Sequence, residues 1–81
     1  MMVSILLFAQ LAESIDARSI DIEVREGATV ADLLDILHEQ HPAISAMRGS
    51  IAVAVDERYA RPDTPLRPGQ IIALIPPVSG G

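Results

Sequence analysis

The chain has 81 residues, which allows one domain near the lower limit at which a single apolar core sustains itself. Hydrophobic residues make up 49% of it, which argues against disorder, and the absence of cysteine excludes disulfides, zinc–thiolate sites and thiol nucleophiles. A formal net charge of −5, with Phe8 and Tyr59 as the only aromatic residues, argues against a nucleic-acid surface and favours a partner with a basic face.

Met2 to Phe8 is an apolar run that predicts a first strand buried on both faces. No Lys or Arg precedes it, no small-x-small cleavage site follows, and it is too short to span a bilayer. The expectation is a cytoplasmic protein without membrane contact. Ala9 to Ile15 is expected to form one or two helical turns. Ser19 to Arg25 alternates polar and apolar, predicting a strand with Ile20, Ile22 and Val24 toward the core and Glu26-Gly27 as its closing turn. Thr29 is a good N-cap with Asp32 three residues on. Val30, Leu33, Leu34 and Leu37 then trace one face of an amphipathic helix that Pro42 stops.

Ala43 to Ser50 is expected to be a loop, with Ile44 and Met47 tucked onto the core. Ile51 to Val55 predicts a third strand, ended by the turn-like Asp56-Glu57-Arg58. Prolines and glycines from Pro62 to Gly69 break the next stretch into turns, with a short extended piece ahead of the final strand. Ile71 to Ile75 is unbroken, rich in β-branched residues, and expected to be central in the sheet. The fold class is therefore α+β: a mixed sheet of about four to five strands with one main helix packed across it. The domain is assigned to residues 1–75 and an extended C-terminal tail to 76–81.

Catalytic patterns are scarce. His38 and His41 lie at i, i+3 near the helix end without a third metal ligand at suitable spacing, and their placement suits the helix dipole better than a metal site. The carboxylates Asp32, Asp35 and Glu39 read as a solvated face that steers a basic partner rather than as general acids or bases. All six basic residues are arginine, so there is no lysine for Schiff-base chemistry or for building conjugate chains on itself. No nucleophilic triad or phosphate-binding glycine loop is present.

The tail is the chemically distinctive part. In Pro76-Pro77-Val78-Ser79-Gly80-Gly81 the two prolines fix φ at the base and the two glycines leave the tip without Cβ atoms. Extended, these residues reach roughly 20 Å, enough to carry a terminal carboxylate into another protein's active site. A frayed terminus is the plain alternative. A glycine carboxylate is a poor electrophile until it is converted to a mixed anhydride with AMP. Once activated it acylates a thiolate, a persulfide or a lysine amine, or takes up sulfur as a thiocarboxylate.

The segment Ile71-Ile72-Ala73-Leu74-Ile75 followed by that tail resembles the C-terminus of the small subunit of molybdopterin synthase, a ubiquitin-like family of sulfur carriers. Leu7-Phe8-Ala9-Gln10 is similar to the family's Phe-Phe-Ala segment, and Pro65-Leu66-x-x-Gly69 matches a turn the family shares. Two positions depart from the pattern: Ala12-Glu13 stands where the family commonly has Arg-Glu, and Leu74-Ile75 where it often has an aromatic residue before Pro-Pro.

The resemblance implies a β-grasp, ubiquitin-like fold and a sulfur-carrier role centred on Gly81, as acyl-adenylate and then thiocarboxylate. A ubiquitin-activating-like adenylyltransferase would activate Gly81 with ATP and Mg²⁺, and the chain itself would bind no permanent cofactor. The large catalytic subunit of molybdopterin synthase would receive the tail (Pro76, Pro77, Val78, Ser79, Gly80) and use the sulfur for the dithiolene of molybdopterin, in a heterotetramer. Phe8, Tyr59 and Ile75 are the expected docking residues, core packing being their alternative. Other readings are a carrier for another sulfur pathway, a protein modifier joined through Gly81 to lysines, and an interaction module with an inert tail.

Overall fold

The structure is a computed structural model that describes residues 1–42, 44 and 49–76. Five strands and two helices follow in the order β1 (Met2–Leu7), α1 (Ala9–Ile15), β2 (Ser19–Glu23), α2 (Val30–Gln40), β3 (Ala52–Val55), β4 (Arg58–Tyr59) and β5 (Ile71–Ile75). They form one mixed sheet in the order β2-β1-β5-β3-β4, the β-grasp arrangement. β5 lies at the centre, parallel to β1 with Leu7 beside Leu74, and antiparallel to β3 with Ala52 beside Ile75.

The core has one layer of helix on one face of the sheet. Val3, Ile5 and Leu7 of β1, Ile22 of β2, Val53 and Val55 of β3, and Ile72 and Leu74 of β5 meet Val30, Leu33 and Leu37 of α2 and Leu11 of α1 in one buried cluster. Ile44 joins it at 3% exposure; Met47 lies outside the described residues. β1 corrects the expectation of burial on both faces. Its residues alternate, and Met2, Ser4 and Leu6 remain exposed because none of the described residues forms a second layer on that side. β5 alternates likewise, with Ile71 54% exposed.

The helix α2 begins where the sequence predicts. Thr29 is extended at φ −106°, and its hydroxyl accepts from the Asp32 N–H at 3.3 Å while the Asp32 carboxylate accepts from the Thr29 N–H at 2.9 Å. The remaining free donors of the first turn are met from a distant loop: Val30 N–H donates to the Thr64 carbonyl at 3.0 Å and Ala31 N–H to the Pro62 carbonyl at 2.9 Å. The turn-rich stretch thus caps the helix. Arg25 donates to the Asp32 carboxylate at 3.1 Å, adding a surface ion pair.

β3 and β4 are joined by Asp56-Glu57, with φ of 49° and 71°. Two successive left-handed residues match the right-handed twist of a tight hairpin. Arg58, expected to belong to the turn, instead opens a short strand, Arg58–Tyr59, paired with Val55 and Ala54, because Asp56 and Glu57 alone complete the reversal. Gly27 and Gly69, at φ 81° and 82°, take the turn positions where a side chain would be strained.

Two measurements check the α2 cap. Thr29→Ala should lower unfolding stability by about 1 kcal/mol, read as a lower urea midpoint at unchanged slope. The hydrogen bond from the Thr29 N–H, with smaller help from the Thr29 hydroxyl and Arg25, holds the Asp32 carboxyl below its ordinary value against an opposing desolvation effect. A depressed native value means that Asp32 contributes stability above the unfolded carboxylate range and loses it as pH falls through the native value. Asp32→Asn should therefore flatten the acid side of the stability–pH curve; an unchanged acid slope would contradict this.

Candidate docking face and tail exit

The uncovered face of the sheet carries an apolar row set by strand register. Leu6 of β1 stands beside Ala73 of β5, Ala73 beside Ala54 of β3, and Ala54 beside Tyr59 of β4. Paired residues share a face, so the row crosses four strands. A second row follows one step along: Ile75 pairs with Ala52, and Phe8 comes one residue after the Leu7–Leu74 pair, on the β1 side of Ile75.

Phe8 and Tyr59 are 47% and 78% exposed, and Ile75 is half-buried. The structure thus removes core packing as the explanation for Phe8 and Tyr59 and puts all three expected docking residues on one face. They are not one tight cluster. Tyr59 lies on the outermost strand, three strand spacings or about 14 Å from β1. Tyr59 also borders a separate groove with Val30, Leu34, Ile51 and Pro62.

Sequence reasoning missed Leu6, Ala54, Ile71 and Ala73, which with Phe8, Asp56 and Glu57 line an open concavity of about 480 Å³. Their signal is present in the sequence as apolar residues at successive positions of β1 and β5, a pattern that double burial would also produce. Asp56 is anchored there, its carboxylate accepting from the Ile71 N–H at 3.0 Å and its own N–H donating to the Ile71 carbonyl at 2.9 Å. Toward β2 the same face turns polar: Ser4 donates its hydroxyl to the Asp21 carboxylate at 3.0 Å, and Asp21 and Glu23 are exposed. The face is therefore an apolar strip with acidic margins.

Ala12 lines a depression with Phe8, Ala9 and the exposed Arg18. His38 is exposed and His41 partly buried. Among the described residues no group of three or more His, Cys, Asp or Glu is placed to hold a metal ion.

Pro76 is buried and follows Ile75 at the end of the central strand. The remaining tail residues Pro77, Val78, Ser79, Gly80 and Gly81 lie outside the described residues. Their point of departure is fixed nonetheless, beside Ala52 and at the same end of the sheet as Phe8. Among the described residues no helix is long and apolar enough to cross a membrane.

Comparison with known proteins agrees with this geometry. A molybdopterin synthase sulfur carrier subunit from Homo sapiens is 35% identical over 82 residues, covering 98% of this chain and 93% of its own. Small archaeal modifier protein 1 from Haloferax volcanii is 37% identical over 93% of this chain and 95% of its own. The crystal structure of SAMP1 from that organism matches with a TM-score of 0.87 at 36% identity, covering all of both chains. A complex of subunits 1 and 2 of molybdopterin-converting factor from Helicobacter pylori contains a chain that matches with a TM-score of 0.71 at 28% identity, again covering all of both. The ThiS family model matches residues 5–81, and the chain belongs to the ThiS family of ubiquitin-like sulfur carriers.

Proposed function

We propose that this chain is the sulfur-carrier subunit of a molybdopterin synthase, working through its C-terminal Gly81. The observation that carries the reading is the exit of the tail. The central strand delivers Pro76 to the end of the sheet where Phe8 and Ile75 lie on the apolar face. A partner seated on that face has the tail beside it, within a reach of roughly 20 Å. The sulfur-carrier name of the human relative and the two-subunit complex from Helicobacter pylori support a large catalytic subunit as that partner.

The chemistry follows from the tip. An adenylyltransferase partner with ATP and Mg²⁺ joins AMP to the Gly81 carboxylate and releases pyrophosphate. Hydrosulfide from the sulfur donor then attacks the activated carbonyl, the new C–S bond forming as the C–O bond to AMP breaks, so that the tip ends as a thiocarboxylate. A chain without cysteine carries reactive sulfur there without competition from thiols of its own. Gly80 and Gly81 lack Cβ atoms, which suits a tip that enters the large subunit, and the proline rings of Pro76 and Pro77 limit the freedom of φ at its base. The large subunit supplies the catalytic residues and consumes the sulfur in forming the dithiolene. The acidic margins Asp21, Glu23, Asp56 and Glu57 favour a large subunit with basic residues around its docking surface.

A second reading is favoured by the Haloferax volcanii relative: a modifier joined through Gly81 to lysine amines on other proteins. Activation is the same in both readings, and the acceptor differs.

Deleting Gly80 and Gly81 should abolish molybdoenzyme activity in cells depending on this gene, while the purified variant unfolds at the wild-type midpoint. Normal activity in the deletion strain would contradict the carrier reading; lysine adducts lost on deletion would favour the modifier. Phe8→Ala should weaken binding to the purified large subunit about tenfold or more without loss of stability. Tyr59→Ala should have a smaller effect, because Tyr59 stands at the rim, three strands from β1.

A further inference from the structure

We infer that the left-handed backbone of Ala9 is a positioning device that holds Phe8 outward as the anchor of the docking face; this rests on the docking reading above. The chain is pinned on both sides of the pair. Leu7 is 4% exposed and its N–H donates to the Arg18 carbonyl at 2.8 Å. Leu11 is fully buried and its N–H donates to the Phe8 carbonyl at 3.0 Å. Between these points the chain must turn from strand into helix. Phe8 stays extended, at φ −123° and ψ 153°, and keeps the outward place that the β1 alternation gives it. The turn falls on Ala9, at φ 49°.

Alanine is a poor residue for that backbone. Its Cβ crowds the left-handed region, which glycine enters freely. A turn with no other duty would be relieved by glycine. What alanine supplies is stiffness: its left-handed well is small, so the direction in which Phe8 leaves the sheet is narrowly set. Phe8 stands 47% exposed between two depressions, one with Leu6, Ile71 and Ala73, the other with Ala9, Ala12 and Arg18. An exposed aromatic ring held on a strained turn enters a partner's pocket with less conformational freedom to lose. Ala9 is thus a positioning residue acting through Phe8.

The test is a double-mutant cycle of A9G and F8A, with urea unfolding of each variant and calorimetric titration against the purified large subunit of the same organism's molybdopterin synthase. A9G should keep or raise the urea midpoint, because glycine accepts the left-handed backbone, and yet weaken binding by about threefold to tenfold. In the F8A background, adding A9G should have no further effect on binding. A role of Ala9 in the turn alone would move stability without this dependence on Phe8. The proposal is overturned if A9G lowers the midpoint, if it binds like wild type while F8A does not, or if it weakens binding equally with and without Phe8. Wild-type binding by F8A would overturn the docking reading and this proposal together.

Discussion

The parallel pairing of β1 with β5 is the constraint on which the rest of the molecule depends. Parallel strands cannot be joined by a tight hairpin, so everything from α1 to the last turn must be accommodated between them. The consequence is that the end of the chain becomes the centre of the sheet. β5 is held by β1 on one side and β3 on the other, with Ile72 and Leu74 fully buried against α2. A tail leaving from an edge strand would inherit the mobility of that edge. Here its root, Pro76, follows the central strand of the sheet and is itself buried. The same pairing brings the end of β1, with Phe8, to the point of departure.

A one-layer core leaves the other face of the sheet uncovered by any of the described residues. Toward β2 that face is polar, where Ser4, Asp21 and Glu23 meet water. Across β1, β5, β3 and β4 it is apolar, through Leu6, Ala73, Ala54 and Tyr59. Ala54 is itself buried and Ala73 partly so, which leaves Leu6, Ile71, Phe8 and Tyr59 as the exposed apolar residues of this face; exposed apolar patches of this kind mark interaction sites. The chain has no cysteine and no lysine, so it offers neither a thiol nor a side-chain amine nucleophile. In the proposed function, recognition is assigned to the sheet and reactivity to the tail.

Local rules carry much of this in the sequence. The Thr29–Asp32 capping box, the Val30-Leu33-Leu37 stripe and the Ile22 and Val24 positions are set by neighbours a few residues apart, and the structure places them as expected. What local rules cannot carry is a choice between two apolar surroundings. In Met2 to Leu7 nearly every residue is apolar, so alternation leaves no mark and burial on both faces is the natural inference; the exposed Leu6 shows that one face is left open. The caps on Val30 and Ala31 from Thr64 and Pro62 are equally hidden, because they arise from residues more than thirty positions away. Phe8 and Tyr59 stand out in the sequence as the only aromatic residues, yet only strand register shows that they share a face.

The most direct measurement of the central claim is mass spectrometry of the C-terminal peptide after incubation with the adenylating partner, ATP, Mg²⁺ and a sulfur donor. The peptide released by cleavage after Arg58 contains no methionine, so exchange of oxygen for sulfur is not confused with oxidation of Met1, Met2 or Met47. The account predicts a mass increase equal to one oxygen-to-sulfur replacement, localised to Gly81 and absent without ATP. An unmodified Gly81 under the same conditions, with the tail instead found joined to lysines of other proteins or unchanged, would contradict it.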